Sequence, residues 1–145
     1  MEAKQADIAS DPNPTIGDGG QKIDKSAKGN ASQFFVAAEL CRRGYYAVVT
    51  LGNTPNTDIL CSNLEGTRFV HIQVKTFTPG APRCIVGKKA EMPFGDNFFW
   101  VLAGIPEPPS LGFEYYIIPS KRMAKEVKVR ADKWLEEKRQ AVARS

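Results

Sequence analysis

The sequence predicts one α/β or α+β domain, in which helices flank a mixed β-sheet. Short segments rich in β-branched and aromatic residues alternate with turn-forming residues, which is the pattern of strands. Segments with helical periodicity lie before and after these strands, so the order favours a layered helix–sheet architecture. The chain has 145 residues, 42% hydrophobic and 25% charged, which suits a single globular domain with its own core.

Composition predicts a short arm before this domain. Residues 1–27 are rich in Gly, Pro, Asp and Lys and poor in large apolar side chains, so we expect a flexible arm followed by a domain over residues 28–145. The amino terminus lacks the apolar core of a secretory signal, and no window is apolar enough to span a membrane. Three cysteines without paired spacing and a single histidine favour neither a disulfide framework nor zinc. We therefore expect a cytoplasmic protein.

The first helix is expected in the segment GNASQFFVAAELCRRGY. Asn30 or Ser32 is the predicted N-cap, and Gly44 is predicted to end the helix in a left-handed conformation. On a helical wheel one face is apolar, and Gln33 points into this same face, whereas Glu39 lies to the side. The apolar positions of that face are Val36, Ala37, Leu40 and Cys41.

Strands follow this helix. The segments rich in strand-forming residues are 45–51, 57–62, 67–77, 97–105 and 113–120, with RCIVG (83–87) as an optional further strand. The segment NFFWVLAGI is almost wholly apolar, as a central strand covered on both faces is. Ser120 is predicted to cap a helix through KRMAKEV, and RADKWLEEKRQAVAR is predicted to form a second one. The predicted order is α-β-β-β-(β)-β-β-α-α.

Polar residues that interrupt the apolar strands indicate chemistry. Asp58 lies in TDIL, and Gln73 and Lys75 lie on one face of HIQVKTF, so a hairpin would bring the three together. Oxygen ligands suit Mg²⁺ or Mn²⁺: the Asp58 carboxylate, the Gln73 amide oxygen and the Val74 carbonyl. Lys75 would then orient or deprotonate the attacking water, or stabilise phosphorane charge. The alternative is structural, with Asp58 as a turn cap and Gln73 and Lys75 on the solvated face of an edge strand.

Basic residues elsewhere provide candidate contacts to DNA. The net charge of +4 and the isoelectric point near 9.0 suit a polyanionic partner. Lys88 and Lys89, Arg42 and Arg43, and Thr76 are candidates for binding phosphates. Each has an ordinary alternative: a solvated turn, favourable cations at a helix C-terminus, and a strand threonine.

The chain resembles the PD-(D/E)XK nuclease superfamily, in the branch of archaeal Holliday-junction resolvases and Mrr-like nucleases. The matching segments are KGNASQFFVAAELCRRGYYAVV, NTPNTDIL and IQVK. The resemblance implies a restriction-endonuclease-like core, magnesium-dependent cleavage of DNA and, as in many members, a homodimer. It assigns the metal-binding aspartate to Asp58 and the (E/Q)xK pair to Gln73 and Lys75.

One position departs from the family pattern. The carboxylate that the family carries on its first helix falls on Gln33, which is an amide, and Glu39 is the only acid in that helix. Four interpretations of this position stay open: a slow enzyme, recruitment of Glu39, a degenerate site, and a substitution at Gln33 in this sequence. A degenerate site would leave a module that binds DNA or protein, and a small interaction protein without a nucleic-acid role is a further alternative for the whole protein.

Overall fold

A computed structural model describes residues 23–51, 54–107 and 111–143, so residues 1–22 of the predicted arm lie outside the described part. The fold is a five-stranded mixed sheet with one helix on each face, which confirms the predicted fold class. Its elements are α1 (Lys25–Arg42), β1 (Tyr46–Val49), β2 (Ile59–Ser62), β3 (Phe69–Phe77), a 3₁₀ turn (Lys88–Glu91), β4 (Phe98–Gly104), β5 (Glu114–Pro119) and α2 (Ser120–Ala143).

The strands lie side by side in chain order, β1-β2-β3-β4-β5. All neighbouring pairs are antiparallel except β3 and β4, which are parallel and therefore need the crossover that contains the 3₁₀ turn. In β4, Trp100 is 2% exposed and Val101 3%, so this strand is buried on both faces as its apolar sequence predicts.

Alternation along β3 and β4 divides the core into two clusters. Ile72 and Val74 point towards α1 and pack with Val36 and Ala37 of that helix. The opposite face carries Phe98 and Trp100 of β4, which pack against Met123 of α2 and Ala90 of the 3₁₀ turn. The two helices therefore cover opposite faces of the sheet, and this decides which face each polar residue of β3 occupies.

The first helix begins earlier than predicted. Asp24 is its N-cap, since the Oδ2 atom accepts hydrogen bonds from the backbone N–H groups of Ser26 and Ala27 at 3.0 and 3.1 Å. The prediction of Asn30 or Ser32 as the cap was wrong, because both residues lie inside the helix. The prediction for the other end is confirmed: Gly44 has φ +88° just after the C-cap.

The optional strand RCIVG does not form. One edge of β3 is paired with β4 from His71 to Phe77. On the other edge, β2 pairs with residues 69–72 and the Asp58 carboxylate binds the N–H of Val74, so the chain that leaves β3 finds no regular ladder to extend. Residues 83–87 run as irregular chain, and Ile85 is 85% exposed. At its end Gly87 turns the backbone with φ +83° into the 3₁₀ helix.

The two predicted C-terminal helices are one continuous helix, α2. No Gly or Pro interrupts its 24 residues, so the helix has no breaker at the predicted boundary. Ser120 is its first residue and is fully buried, and its Oγ accepts the backbone N–H of Phe94 at 2.8 Å instead of capping α2. No helix within the described ranges is long and apolar enough to cross a membrane.

Candidate active site

Asp58 lies where β2 begins and is fixed through its backbone. Its N–H donates to the Ile72 carbonyl of β3 at 2.9 Å, and its carbonyl accepts the N–H of Thr50, next to β1, at 2.9 Å. The β2–β3 ladder starts one residue later, at the pair Ile59–Ile72. Asp58 is therefore held directly before the first residue of β2, at a level of the sheet where β3 continues beyond the β2–β3 ladder.

The Asp58 carboxylate is bound by two donors from β3. Its Oδ2 atom accepts the backbone N–H of Val74 at 2.7 Å and the side-chain amide Nε2 of Gln73. Burial raises the pKa of Asp58, and the Val74 hydrogen bond and the positive charge of Lys75 oppose that rise. Hence the structure brings Asp58 and Gln73 into contact, as we predicted from a hairpin between their two strands.

The Val74 carbonyl belongs to the same corner of the sheet. In an extended strand, the N–H and C=O of one residue point to the same side, so the Val74 oxygen lies on the side from which its N–H reaches Asp58. The β2–β3 ladder ends at Ile72, so no residue of β2 pairs with Val74 there. Carboxylate, carbonyl and amide oxygens thus lie near one another at this corner.

Lys75 lies on the same face of β3 as Gln73, two residues further along the strand. Its positive charge acts on Asp58 and also on Cys84, where it opposes the effect of burial that raises the pKa of that thiol. The candidate lysine, half-buried at the end of β3, is therefore close to both groups. The three predicted residues occupy one site.

A second polar pair, missed in the sequence, supports the site. Thr57, directly before Asp58, is 8% exposed, and its Oγ1 lies 3.1 Å from Nδ1 of His71. The Thr57 carbonyl accepts a hydrogen bond from the hydroxyl of Thr50 at 2.6 Å. His71 lies on the same face of β3 as Gln73, because side chains alternate along a strand. This alternation is the sequence signal that could have identified His71 as part of the site. These bonds fix the chain on the N-terminal side of Asp58.

The N-terminal half of α1 lies beside the C-terminal end of β3. Ser32 Oγ is 2.6 Å from Thr76 Oγ1, and Lys28 Nζ is 2.7 Å from Thr78 Oγ1. Gln33 follows Ser32 and is half-buried, and its side chain forms no hydrogen bond with any described residue. It thus lies at the Asp58 end of the sheet, but α1 covers the face opposite to Gln73 and Lys75. The Thr76 hydroxyl is engaged with Ser32, so this candidate phosphate contact acts inside the fold.

Glu39 is held at the other end of α1. Seven residues beyond Ser32, it lies about 10 Å further along the helix axis. Its carboxylate pairs with Arg42 at 2.9 Å and Arg43 at 2.8 Å, and these hydrogen bonds, Arg42 first, lower the pKa of Glu39 to about 2. Glu39 also lines a separate cleft of about 790 Å³ beside Arg68, near the start of β3. The structure therefore gives Glu39 a role in ion pairs with Arg42 and Arg43, in place of the sequence-based interpretation that it supports the Asp58 site.

The remaining predicted DNA contacts are spread over the surface. Arg42 and Arg43 belong to the Glu39 cluster, away from Asp58. Lys88 and Lys89 are exposed on the 3₁₀ turn and form no salt bridge with a residue that the structure describes, while Ala90 beside them is fully buried and anchors the turn. Of these four predicted cations, Lys88 and Lys89 are therefore the two that form no ion pair with a described residue.

Acidic ligands are few at this site. Among the described residues, no group of three or more His, Cys, Asp or Glu side chains is arranged to hold a metal ion. The cysteines Cys41, Cys61 and Cys84 are free thiols. Asp58 therefore supplies the one carboxylate of the corner formed with Gln73 and Val74.

Comparison with known proteins gives one structural likeness. No protein-family model matches the chain, and no curated protein matches it. Among solved structures, the bacterial homing endonuclease I-Ssp6803I is similar, with a TM-score of 0.50 and 18% sequence identity over 69% of this chain and 68% of that chain. At this identity the likeness shows a shared fold, which is that of a nuclease.

Proposed function

We propose that this chain is a metal-dependent DNA endonuclease domain that hydrolyses phosphodiester bonds, with a QxK variant of the PD-(D/E)XK site. One observation carries the proposal: the Asp58 carboxylate is held by the Gln73 amide and the Val74 N–H, and Lys75 lies on the same strand face. The fold shared with a homing endonuclease supports this assignment. DNA as the substrate also agrees with the net charge of +4.

The donor atoms suit a hard divalent cation. Asp58 would supply a carboxylate oxygen and Val74 a carbonyl oxygen, and Gln73 would supply its Oε1 atom after its terminal amide turns. Mg²⁺ and Mn²⁺ accept such oxygen ligands, and Mg²⁺ keeps several waters when few carboxylates are present. With one carboxylate, we expect an affinity in the millimolar range for the ion alone.

Each residue then has a defined task. When bound, the metal supplies Lewis-acid stabilisation of phosphate charge and a more acidic water. Lys75 donates hydrogen bonds to the attacking water or to a phosphate oxygen, because its ammonium group lies beside the Asp58 corner. Thr57, Thr50 and Ile72 hold the backbone on either side of the Asp58 carboxylate, so that the carboxylate needs little rearrangement before the reaction.

The proposal is tested by cleavage of supercoiled, linear and branched DNA with Mg²⁺ or Mn²⁺, and with EDTA as the metal-free control. Asp58→Ala and Lys75→Ala should each reduce the rate by at least ~100-fold. Arg68→Ala, at the opposite end of β3, is the matched control and should cleave at nearly the wild-type rate. Failure of the wild-type protein to cleave any substrate, or undiminished cleavage by both site variants, would refute the proposal.

A second candidate function is a nuclease fold that binds DNA or protein without cutting. The observation that favours it is the amide at Gln33, together with the engagement of Glu39 by two arginines. Calorimetry separates the two functions: DNA binding with no binding of Mg²⁺ or Mn²⁺ at millimolar concentration supports the binding module. The proposed homodimer is tested separately by light scattering at several protein concentrations.

A further inference from the structure

A second concave surface adjoins the candidate site at the C-terminal end of β3. It is a cleft of about 450 Å³ whose charged lining consists of Lys25, Lys28, Arg83 and Glu107. The wall between these side chains contains Thr76, Phe77 and Thr78 of the β3 end. Three cations and one carboxylate thus surround a space large enough for a small anionic group.

The charges of this cleft do not cancel. Lys28 is largely buried, with 12% of its side chain exposed, and its Nζ atom contacts Glu107 Oε1 at 2.9 Å and Thr78 Oγ1 at 2.7 Å. This pair neutralises the carboxylate and fixes the wall. Lys25 and Arg83 are exposed and form no ion pair with a residue in the described ranges. The cleft therefore keeps an excess of two positive charges facing solvent.

These cations do not act through the end of a helix. Asp24 already accepts hydrogen bonds from the first-turn N–H groups of Ser26 and Ala27. An anion in the cleft would be bound by the Lys25 and Arg83 side chains, with the Thr76–Thr78 strand end as its wall. Arg83 offers a planar guanidinium, a group that binds two oxygens of one phosphate.

The cleft lies close to Lys75. The wall begins with the next residue, Thr76, and Thr78 is three residues from Lys75, or about 10 Å at about 3.3 Å per strand residue. Successive nucleotides of one DNA strand rise about 3.4 Å along the duplex axis. Lys25 and Lys28 of the cleft belong to α1, on the sheet face opposite to Lys75, whereas Arg83 is the neighbour of Cys84, on which the Lys75 charge acts. A DNA strand that has one phosphate at Lys75 and continues round the C-terminal end of β3 would therefore place a further phosphate at the cleft.

We propose that this cleft binds a backbone phosphate of the DNA strand, flanking the phosphate that is cleaved. The choice of DNA as the ligand rests on the proposed function, whereas the cationic cleft itself does not. Phosphate contacts of this kind fix the register of DNA on a protein without reading its sequence. The cleft would therefore position the scissile phosphate at Lys75.

The test measures equilibrium binding of a fluorescent 20-base-pair duplex in EDTA, over a series of salt concentrations. Lys25→Ala/Arg83→Ala should weaken binding and reduce the slope of log K against log salt by about 0.9, since the contact to one phosphate is lost. The matched control Arg68→Ala/Lys133→Ala removes two positive charges elsewhere and should keep the wild-type slope. Thermal unfolding of each variant verifies that it is folded.

Glu107→Gln gives a test in the opposite direction. It removes the carboxylate that Glu107 contributes to the charged lining, so DNA affinity should rise. A slope unchanged in Lys25→Ala/Arg83→Ala, or reduced equally in the control pair, would overturn the cleft as a phosphate site. Because the assay contains no metal, absence of cleavage refutes the proposed function without deciding this inference, and normal cleavage with an unchanged slope refutes the inference alone.

Discussion

Replacing Gln73 by glutamate tests the most specific contact of the site. In the wild-type protein the Gln73 amide donates to the Asp58 carboxylate. Gln73→Glu replaces that donor by a second negative charge at nearly the same position. Two unit charges about 4 Å apart repel by about 1 kcal/mol in water and about 4 kcal/mol at an effective dielectric constant of 20. Asp58 is half-buried, so we expect the variant to lose about 1–4 kcal/mol of stability without metal at pH 8.

The loss should respond to pH and to metal. Repulsion raises the pKa of the carboxylate pair, so the cost is present at pH 8 and disappears as the pH falls and one carboxyl group becomes protonated. A divalent cation removes the same repulsion. A metal at 100 times its dissociation constant adds about 2.7 kcal/mol to stability. We therefore expect Mn²⁺ to stabilise Gln73→Glu more than it stabilises the wild-type protein.

Urea unfolding at pH 5 and pH 8, with EDTA or with Mn²⁺, measures each of these effects. Leu64→Gln and Leu64→Glu make the matched control pair, because Leu64 is 60% exposed in the β2–β3 hairpin, at the opposite end of the sheet from Asp58. The two control variants should differ little in stability at either pH. Equal stability of Gln73→Glu and wild type at pH 8 in EDTA would show that position 73 does not face the Asp58 carboxylate.

Three further predictions concern the site and its support. Asp58→Asn should gain stability relative to the wild-type protein as the pH rises above 3.8: burial raises the pKa of Asp58, so ionisation costs the wild-type protein stability that the asparagine variant does not lose. Parallel pH profiles of the two proteins would contradict this. Gln33→Glu should leave the Mn²⁺ affinity unchanged in calorimetry, because α1 covers the sheet face opposite to Gln73 and Lys75, and a tightening by about tenfold would show that position 33 faces the metal. Ser120→Ala should lower the free energy of unfolding by about 1–3 kcal/mol, because it leaves the N–H of Phe94 without its acceptor. Ser120→Thr, which keeps the hydroxyl, is the comparison, and equal stability of Ser120→Ala and wild type would show that this bond is dispensable.

The local sequence pattern was sufficient to predict much of the fold. Strand positions followed from β-branched and aromatic segments, and the left-handed turn at Gly44 followed from the one residue type that adopts it without strain. The boundaries were less secure where two signals competed. Asp24, Asn30 and Ser32 are all good caps, and the helix starts at Asp24, whose carboxylate accepts two first-turn N–H groups, and continues through Gly29 despite the low helix propensity of glycine.

Other features of the structure depended on which sheet edges and charged side chains were available as partners. RCIVG has the composition of a strand, but β4 occupies one edge of β3, and on the other edge the Asp58 carboxylate takes the Val74 N–H that a further strand would need. Glu39 was judged by its position on a helical wheel, which does not show that two arginines at the next turn bind its carboxylate. The ion pairs of Glu39 and its distance from the Asp58 site depend on the tertiary structure, in which α1 is placed on the sheet.

The sequence by itself placed Gln73 and Lys75 on one face of β3 and indicated a hairpin that would bring Asp58 beside them, with a purely structural role for all three as the alternative. The tertiary structure decided how they meet. Asp58 reaches the Val74 N–H because β2 pairs with β3 only as far as Ile72, so the N–H of Val74 has no partner in β2. It also decided that α1 covers the other face, since helix placement depends on long-range packing that local spacing does not encode.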